Sequence, residues 1–535
     1  MKTRFVISLF QCSAIFLLAQ LSVHGQSVAQ QPPQMSPAPI MVSDSSSGPP
    51  ASVDLAAQLQ ELQARLQRLD HESAQVHFQP TQQPAAVYTP VDEVDYETPG
   101  FAQTLVDHWD TIADPEIAIV NWQTGTKDKD EKKSDDKPKK KEPKKWYDKL
   151  SMRGYTQMRI SDVTELEPGS AAPQYPADRS VGNNQDFILR RVRLIIFGDV
   201  SDHMGVYLQP DFAVTPPGST DNTHFAQIRD WYADCYVDKT KVHRFRVGQS
   251  KVPYGWENMQ SSSNRLSLDR SDALNTAVRN ERDLGVFYYW TPEPAQDFFK
   301  EVMDQGLKGS GNYGVFGIGC YNGQGGSLLE QNDTVHLAAR LTIPMTLDNG
   351  QHIETAIQGY TGRYVVLSSP IRRLGGVAQT APLGTQGAGD DTGIIDQRLA
   401  GSFIYYPQPF GFQTEWNFGR GPALNAAQTA VVEDDLQGGY AQVMYQHKTP
   451  CHGTFFPFAR YVYYKGGYKP ERNAPASHID EMELGCEWQM NPQMELTALY
   501  TWTDRTSTTA INTAGITSYG QFEGQFLRFQ FQFNY

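Results

Sequence analysis

Arg191 and Arg193 stand two residues apart in Phe187-Ile-Leu-Arg-Arg-Val-Arg-Leu-Ile-Ile-Phe-Gly198, with Val192, Leu194 and Ile196 at the alternate positions. A strand sends alternate side chains to opposite faces, so both guanidiniums fall on one polar face. The same parity groups Arg153, Gln157 and Arg159 near 150–161 and Asp230 with Asp234 near 228–237. It also puts Arg340, Arg460 and Arg528 on the polar faces of their own segments. Guanidiniums lining a wet lumen supply charge and hydrogen-bond donors to passing anions, and such a channel needs no nucleophile. A second group lies in the connection 252–282, which follows Lys251 and contains Ser261, Ser262, Ser263, Arg265, Arg270, Arg279 and Arg282. Connections of this length tend to be functional. This one either folds into a bore and narrows it or stays in solvent at the rim, and the first is the expectation. His203, His224, His243, His336 and His352 are scattered, with no motif for a nucleophile or a metal. An enzyme, a metal and a cofactor are therefore not expected. Cys235, Cys320, Cys451 and Cys486 lack metal-ligand spacing and read as small hydrophobic residues, with a disulfide left open.

The elements that must position these side chains show a period of two. In Gln525-Phe-Leu-Arg-Phe-Gln-Phe-Gln-Phe-Asn-Tyr535, one face reads Leu527, Phe529, Phe531, Phe533, Tyr535 and the other Arg528, Gln530, Gln532, Asn534. Five large apolar groups on one face fit the closing strand of a barrel, with lipid outside and water inside. Mean hydropathy is −0.50, and no 18-residue apolar run follows the N-terminus. This excludes a helical membrane protein but not a barrel. An arginine on the lipid face at mid-depth costs about 2–4 kcal/mol, so the arginines must face the lumen or the rims. The net charge of −14 argues against a nucleic-acid partner.

Sixteen segments of strand type follow Leu150: 150–161, 187–199, 204–213, 228–237, 242–251, 283–290, 313–321, 334–343, 351–361, 396–406, 410–419, 436–446, 454–464, 480–490, 494–502 and 524–535. The connections between them alternate long and short, as outer loops and inner turns do on an even-stranded barrel. Only 291–312 breaks the rule, being long where a short one is due. The predicted fold of 150–535 is an all-β, sixteen-stranded antiparallel transmembrane barrel, wide enough for a water channel.

The region ahead of the barrel divides by composition. Lys2 and Arg4 precede the apolar run Phe5–Leu21, so 1–25 reads as a secretory signal peptide cleaved after Gly25. Export and a barrel together place the protein in a Gram-negative type of outer membrane, with its N-terminal region periplasmic. Residues 26–54, rich in Gln, Pro and Ser, read as disordered. Leu55, Leu59, Leu62, Leu66 and Leu69 form an a/d seam over 55–70, which either self-associates as a coiled coil or packs on its own barrel. A linker, 71–149, contains a run from Lys127 to Lys145 with ten lysines and six acids.

The segment 187–198 resembles the second strand of the phosphate-selective porin O and P family. Gly248-Gln-Ser-Lys-Val-Pro-Tyr-Gly-Trp-Glu257 is similar to that family's entry into its third loop. Leu268-Asp-Arg270 and Arg279-Asn-Glu-Arg-Asp-Leu-Gly285 resemble the exit. Tyr321-Asn-Gly323, Ala339-Arg-Leu341 and Pro457-Phe-Ala-Arg-Tyr461 fit later positions. The resemblance covers nearly all of 150–535. It implies a homotrimer in outer-membrane lipid, passive diffusion of small anions such as phosphate or polyphosphate, and an inward third loop. Arg191 and Arg193 would join an arginine ladder, and Lys251, Ser261–Ser263, Arg265 and Arg270 would lie at the constriction. The family's narrowest zone uses lysines, and this loop has none after Lys251. Residues 151–535 carry 31 basic and 40 acidic side chains, a net of −9.

Two other readings stand beside anion diffusion. One is an unselective or differently selective porin, in which the arginines pair with lumen acids such as Asp230 and Asp234. The other is a tether in which the N-terminal region contacts the cell wall. It requires co-sedimentation with peptidoglycan that is lost on deletion of 55–149. Three chains in one trimer would bring three leucine stripes together at high effective concentration, where they bury one another. Leu59→Asp with Leu66→Asp should abolish helicity of 51–72 by circular dichroism and leave a heat-modifiable barrel trimer. Retained helicity would show that the seam is not packed.

Overall fold

The computed structural model describes residues 145–170, 175, 178, 180–181, 187–214, 224–372, 378–387, 392–509 and 518–535. The signal segment, the Gln/Pro/Ser stretch, the leucine seam and all but the last lysine of the charge run lie outside these residues. A 3-10 turn, Trp146–Lys149, leads into the first strand.

Among the described residues, sixteen strands form one closed antiparallel sheet. They are β1 (Ser151–Leu166), β2 (Ile188–Ser201), β3 (Met204–Val214), β4 (Phe225–Tyr236), β5 (His243–Lys251), β6 (Arg282–Trp290), β7 (Phe316–Tyr321) and β8 (His336–Thr346). The second half comprises β9 (His352–Tyr364), β10 (Ile394–Tyr405), β11 (Phe410–Leu424), β12 (Val431–Tyr445, continued by His447–Thr449), β13 (Gly453–Gly467), β14 (Ala476–Asn491), β15 (Met494–Thr509) and β16 (Ser518–Asn534). Each pairs with its sequence neighbours, and β16 returns to β1 with Asn534 opposite Tyr155. Closure leaves no free edge, so the backbone polar groups of every strand find partners within the sheet. Tyr535 finishes the seam: its N–H donates to Gly154 O at 3.0 Å and Gly154 N–H donates back at 2.5 Å. A Cβ at Gly154 would lie 2.3 Å from the Tyr535 ring, so only glycine admits this contact.

Every predicted segment overlaps one strand, and the alternation of period two is realised as predicted. Leu189, Trp231, Val247, Val286, Leu341, Ile357, Leu399, Trp416, Leu484 and Phe529 are exposed on the outside. So large an apolar surface marks a face meant for lipid. The opposite parity is polar and buried, including Gln157, Arg159, Arg191, Arg193, Asp230, Asp234, Arg340, Glu415, Arg460 and Arg528. Arg153, at the short-turn rim, is exposed. All four described cysteines are free thiols.

The exceptional connection after β6 contains a helix. Pro292 caps it and a further proline lies in its first turn, where a missing N–H costs nothing. Ala295, Phe298, Phe299 and Val302 then recur at helical spacing and are buried. This helix (Glu293–Asp304) lies at the short-turn end. The connection is long because it inserts into the bore, where Phe298, Phe299, Val302 and Leu307 pack against Trp256, Ile404 and Tyr406.

Candidate functional site

The connection 252–281 leaves β5 at the long-loop end and folds into the bore. Val252, Tyr254 and Trp256 are 0% exposed, as are Ala273 and Leu274 further on. Gly255 turns the chain inward at φ +83°, a conformation glycine adopts without strain. Two single-turn helices follow, α1 (Trp256–Met259) and α2 (Asp272–Asn275); the helix Glu293–Asp304 is α3. The loop contains more large apolar residues than its serine- and arginine-rich middle suggests. Tyr254, Ala273, Leu274 and Val278 join a cluster with Phe287, Tyr360, Tyr440 and Tyr464 of the wall. Gly438 permits the approach of α2, since a Cβ there would lie 3.1 Å from Cβ of Ala273.

Polar contacts fix the loop to the wall. Glu415 of β11 accepts the N–H groups of Trp256 and Glu257 at 2.5 and 3.0 Å. Lys251 donates to the carbonyls of Met259 and Gln260 at 2.7 and 2.9 Å. Ser262 Oγ lies 2.7 Å from Tyr155 Oη and accepts from Arg193 Nη1 at 2.9 Å. Ser261 and Ser263 are half-buried and bond each other, while Gln532 donates to the Ser263 carbonyl at 3.2 Å.

Four acids of the loop meet guanidiniums. Asp269 lies 3.0 Å from Arg159 and 2.7 Å from Arg528. Glu257 lies 2.9 Å from Arg460. Asp272 pairs with Arg505 of β15. Glu281 takes Arg270 at 2.5 Å, Arg282 at 2.6 Å and Arg229 at 3.4 Å. Burial alone would favour the neutral acids. The surrounding arginines overcome it and hold Asp269 and Glu281 well below the usual carboxylate range. A second inward piece comes from the 167–187 connection. Asp178 accepts from Arg159 at 2.5 Å and from Arg528 at 3.1 Å, and Tyr175 lies beneath the Arg505 guanidinium, 3.7 Å from its ring centroid.

The expected arginine stripe on β16, β1 and β2 is therefore not bare. Arg159, Arg460 and Arg528 hold loop acids, Arg193 pairs with Asp211 at 2.8 Å, and Arg340 pairs with Glu354 at 3.1 Å. Asp230 and Asp234 answer other cations: Arg282 at 2.9 Å and Arg246 at 2.8 Å. Arg153 stands apart from this site, over the Phe197 ring near the short-turn rim. Sequence reasoning singled out the cations and passed over the loop acids, although Glu257, Asp269 and Glu281 stand inside the quoted motifs. Nothing local marked Asp178 or the α3 insertion as inward.

The structure gathers several cations on one side. A cavity of about 500 Å³ lies between the loop, β2–β4 and the connection after β13. Arg190, Arg191, Arg193, Arg229, Arg265, Arg270 and Arg279 line it against Asp211, Asp269, Glu281 and Glu471. Arg191 donates to Gln157 at 2.7 Å, and among the described residues no carboxylate reaches it. Arg265 gives Nη2 to the Leu268 carbonyl at 3.2 Å, while its buried Nε and Nη1 have no hydrogen-bond partner among the described residues. Burial and the nearby Arg270 charge push Arg265 down to about 9. Lys251, Ser261, Ser262, Ser263 and Arg282 are not among the lining side chains.

A family model described as phosphate-selective porin O and P matches residues 169–535. No curated protein matches the chain. Among solved structures, the outer-membrane protein OmpT of Vibrio cholerae in its trimer form is 11% identical, with a TM-score of 0.41 over 72% of this chain and 99% of that one. The outer-membrane channel DcaP of Acinetobacter baumannii is 11% identical, with a TM-score of 0.42 over 72% and 97%. The anion-selective porin from Comamonas acidovorans is 10% identical, with a TM-score of 0.41 over 72% and 99%.

Asp269→Asn removes one of the carboxylates shared by Arg159 and Arg528, with Asp178 and Glu483 remaining, so the cost falls below the ~3–5 kcal/mol of a buried charge left wholly unpaired. The variant should unfold at lower urea than the parent, followed by the heat-modifiable gel shift. An unchanged midpoint would show that Asp269 does not anchor the loop.

Proposed function

The chain belongs to the phosphate-selective porin O and P family and is an outer-membrane porin, and we propose that it passes small anions, phosphate or polyphosphate among them, by passive diffusion past the inward loop 252–282. The observation that carries this reading is the chamber beside β2–β4, where seven arginines face four carboxylates. An anion entering the bore loses part of its hydration and must find donors in exchange. Arg191 and Arg265 offer guanidinium donors that no carboxylate of the described residues holds in an ion pair. Charged donors in a narrow, low-dielectric space bind oxyanions strongly and raise their local concentration. Arg193, Arg270 and Arg279 extend the cationic surface, and Arg159, Arg340, Arg460 and Arg528 act chiefly by holding the loop and the wall. The homotrimer is part of the same proposal and is supported by family membership.

The ion pairing of Arg159, Arg193, Arg340, Arg460 and Arg528 favours a second reading, a porin of weak selectivity on the same scaffold. Reversal potentials in planar bilayers under a KCl gradient separate the two. The proposal requires anion preference at neutral pH, reduced several-fold in Arg265→Gln. Cation preference in the parent, or a variant with the parent's reversal potential, would remove the chamber from the pathway.

A further inference from the structure

Below the loop, the two insertions fill one side of the bore more completely than the other. After α3 the chain crosses the short-turn mouth to the opposite wall, where Lys308 pairs with Glu487 of β14 and lies 4.9 Å over the Phe456 ring. It is joined to the loop from beneath: Gln260 donates to the Lys308 carbonyl at 2.6 Å and Asn264 to that of Gly309 at 2.7 Å. The lumen side chains on this side are sealed, with Arg340, Glu354, Gln358 and Glu415 all 2% exposed or less. On β1–β5 at the same end, Arg153 is exposed and Phe197, Tyr207 and Tyr232 are half-buried, while the Arg244 side chain is 13% exposed and donates to the Asn312 carbonyl at 2.9 Å.

These residues form a continuous row with the buried Arg246 and Tyr289, beside the Tyr313 ring of the insertion, 5.7 Å from Arg246. Arg153 lies 5.5 Å over the Phe197 ring, Phe197 is 6.3 Å from Tyr207, and Tyr207 stacks on Tyr232 at 5.2 Å and 9°. Arg246 covers Tyr232 at 3.8 Å and lies 5.5 Å from the Tyr289 ring, over which Arg244 also sits at 4.9 Å. Cross-strand register sets the row, since Tyr207 is directly opposite Tyr232. Asp234 is bidentate to Arg246 at 2.8 and 2.9 Å and lies 3.6 Å from Arg244, so the two guanidiniums share one carboxylate. At the rim, Asp199 is matched by Lys241. The row thus combines aromatic surface with two guanidiniums that share one carboxylate.

We propose that this row is a second solute station, below the arginine chamber, that takes aromatic carboxylates. The carboxylate docks at Arg244, and the flat ring lies against Tyr232, Tyr207 and Phe197. Guanidinium suits a carboxylate by charge and fork geometry, and offset or edge-to-face ring contact adds to it. An inorganic oxyanion gains nothing from the rings, so the station sorts anions that the chamber above admits alike. The inference rests on the anion reading above.

The test uses the full-length porin in planar bilayers, with chloride current recorded while benzoate or acetate is added to both compartments. Benzoate should block at a concentration about tenfold below acetate, a difference of about 1.4 kcal/mol. Tyr207→Leu with Tyr232→Leu should bring benzoate to the level of acetate while leaving the KCl reversal potential unchanged. Phe197→Leu should shift it the same way and serves if the double variant does not fold. Equal block by the two acids in the parent, or undiminished benzoate block in the variants, overturns the station. A cation-selective reversal potential would instead overturn the anion reading, with the benzoate-to-acetate ratio still deciding the row.

Discussion

Asp269 lies between Arg159 of β1 and Arg528 of β16, at the seam where the barrel closes. Each of these groups would be costly to bury alone, because water is removed and nothing replaces it. Together, and with Asp178, they make a neutralised cluster that can sit inside a wall. Glu257 with Arg460 and Asp272 with Arg505 repeat the arrangement further round the lumen. The loop is thus fastened at several points to strands far from its own ends. A long connection pays a large entropy cost to be ordered. The gain that offsets this cost here is twofold: ion pairs with the wall, and a buried apolar side running from Tyr254 to Leu274.

That fastening also decides where charge is left over. The loop spends its acids on β13, β15, β16 and β1, and the side that receives few of them is β2–β4. The net charge of the barrel is negative, yet a positive chamber survives because most of the inward acids named here are already matched. Overall composition is a poor guide to the lumen for this reason. What a solute meets is the residue of local pairing, and Arg191 and Arg265 are that residue.

The α3 insertion acts from the other end. It meets the loop at Trp256, Gln260 and Asn264, and it reaches Glu487 across the mouth. Loop and insertion support each other, so the occluded side of the bore is built from both ends of the barrel. The less filled side is then continuous in its chemistry, arginines above and rings with arginines below, and the insertion reaches it at Asn312 and Tyr313.

Much of the wall was legible in the sequence. A period of two is a property of the strand itself, so Val192 and Arg193 declare their faces without reference to anything distant. The seam of Phe529, Phe531 and Phe533 against Arg528, Gln530 and Gln532 declares a lipid side and a wet side in the same way. Loop lengths gave the strand count and the two ends, and the one break in their alternation marked α3 as a connection of unusual length. The role of α3 was not legible, because helical spacing tells which face is buried and not what buries it. Nor was the partner of any arginine. Asp178 and Asp269 stand 19 and 110 residues from Arg159, and no local pattern selects them. The fold brings them together because a closed barrel must fill its interior, and a buried guanidinium is stable only where an acid can reach it.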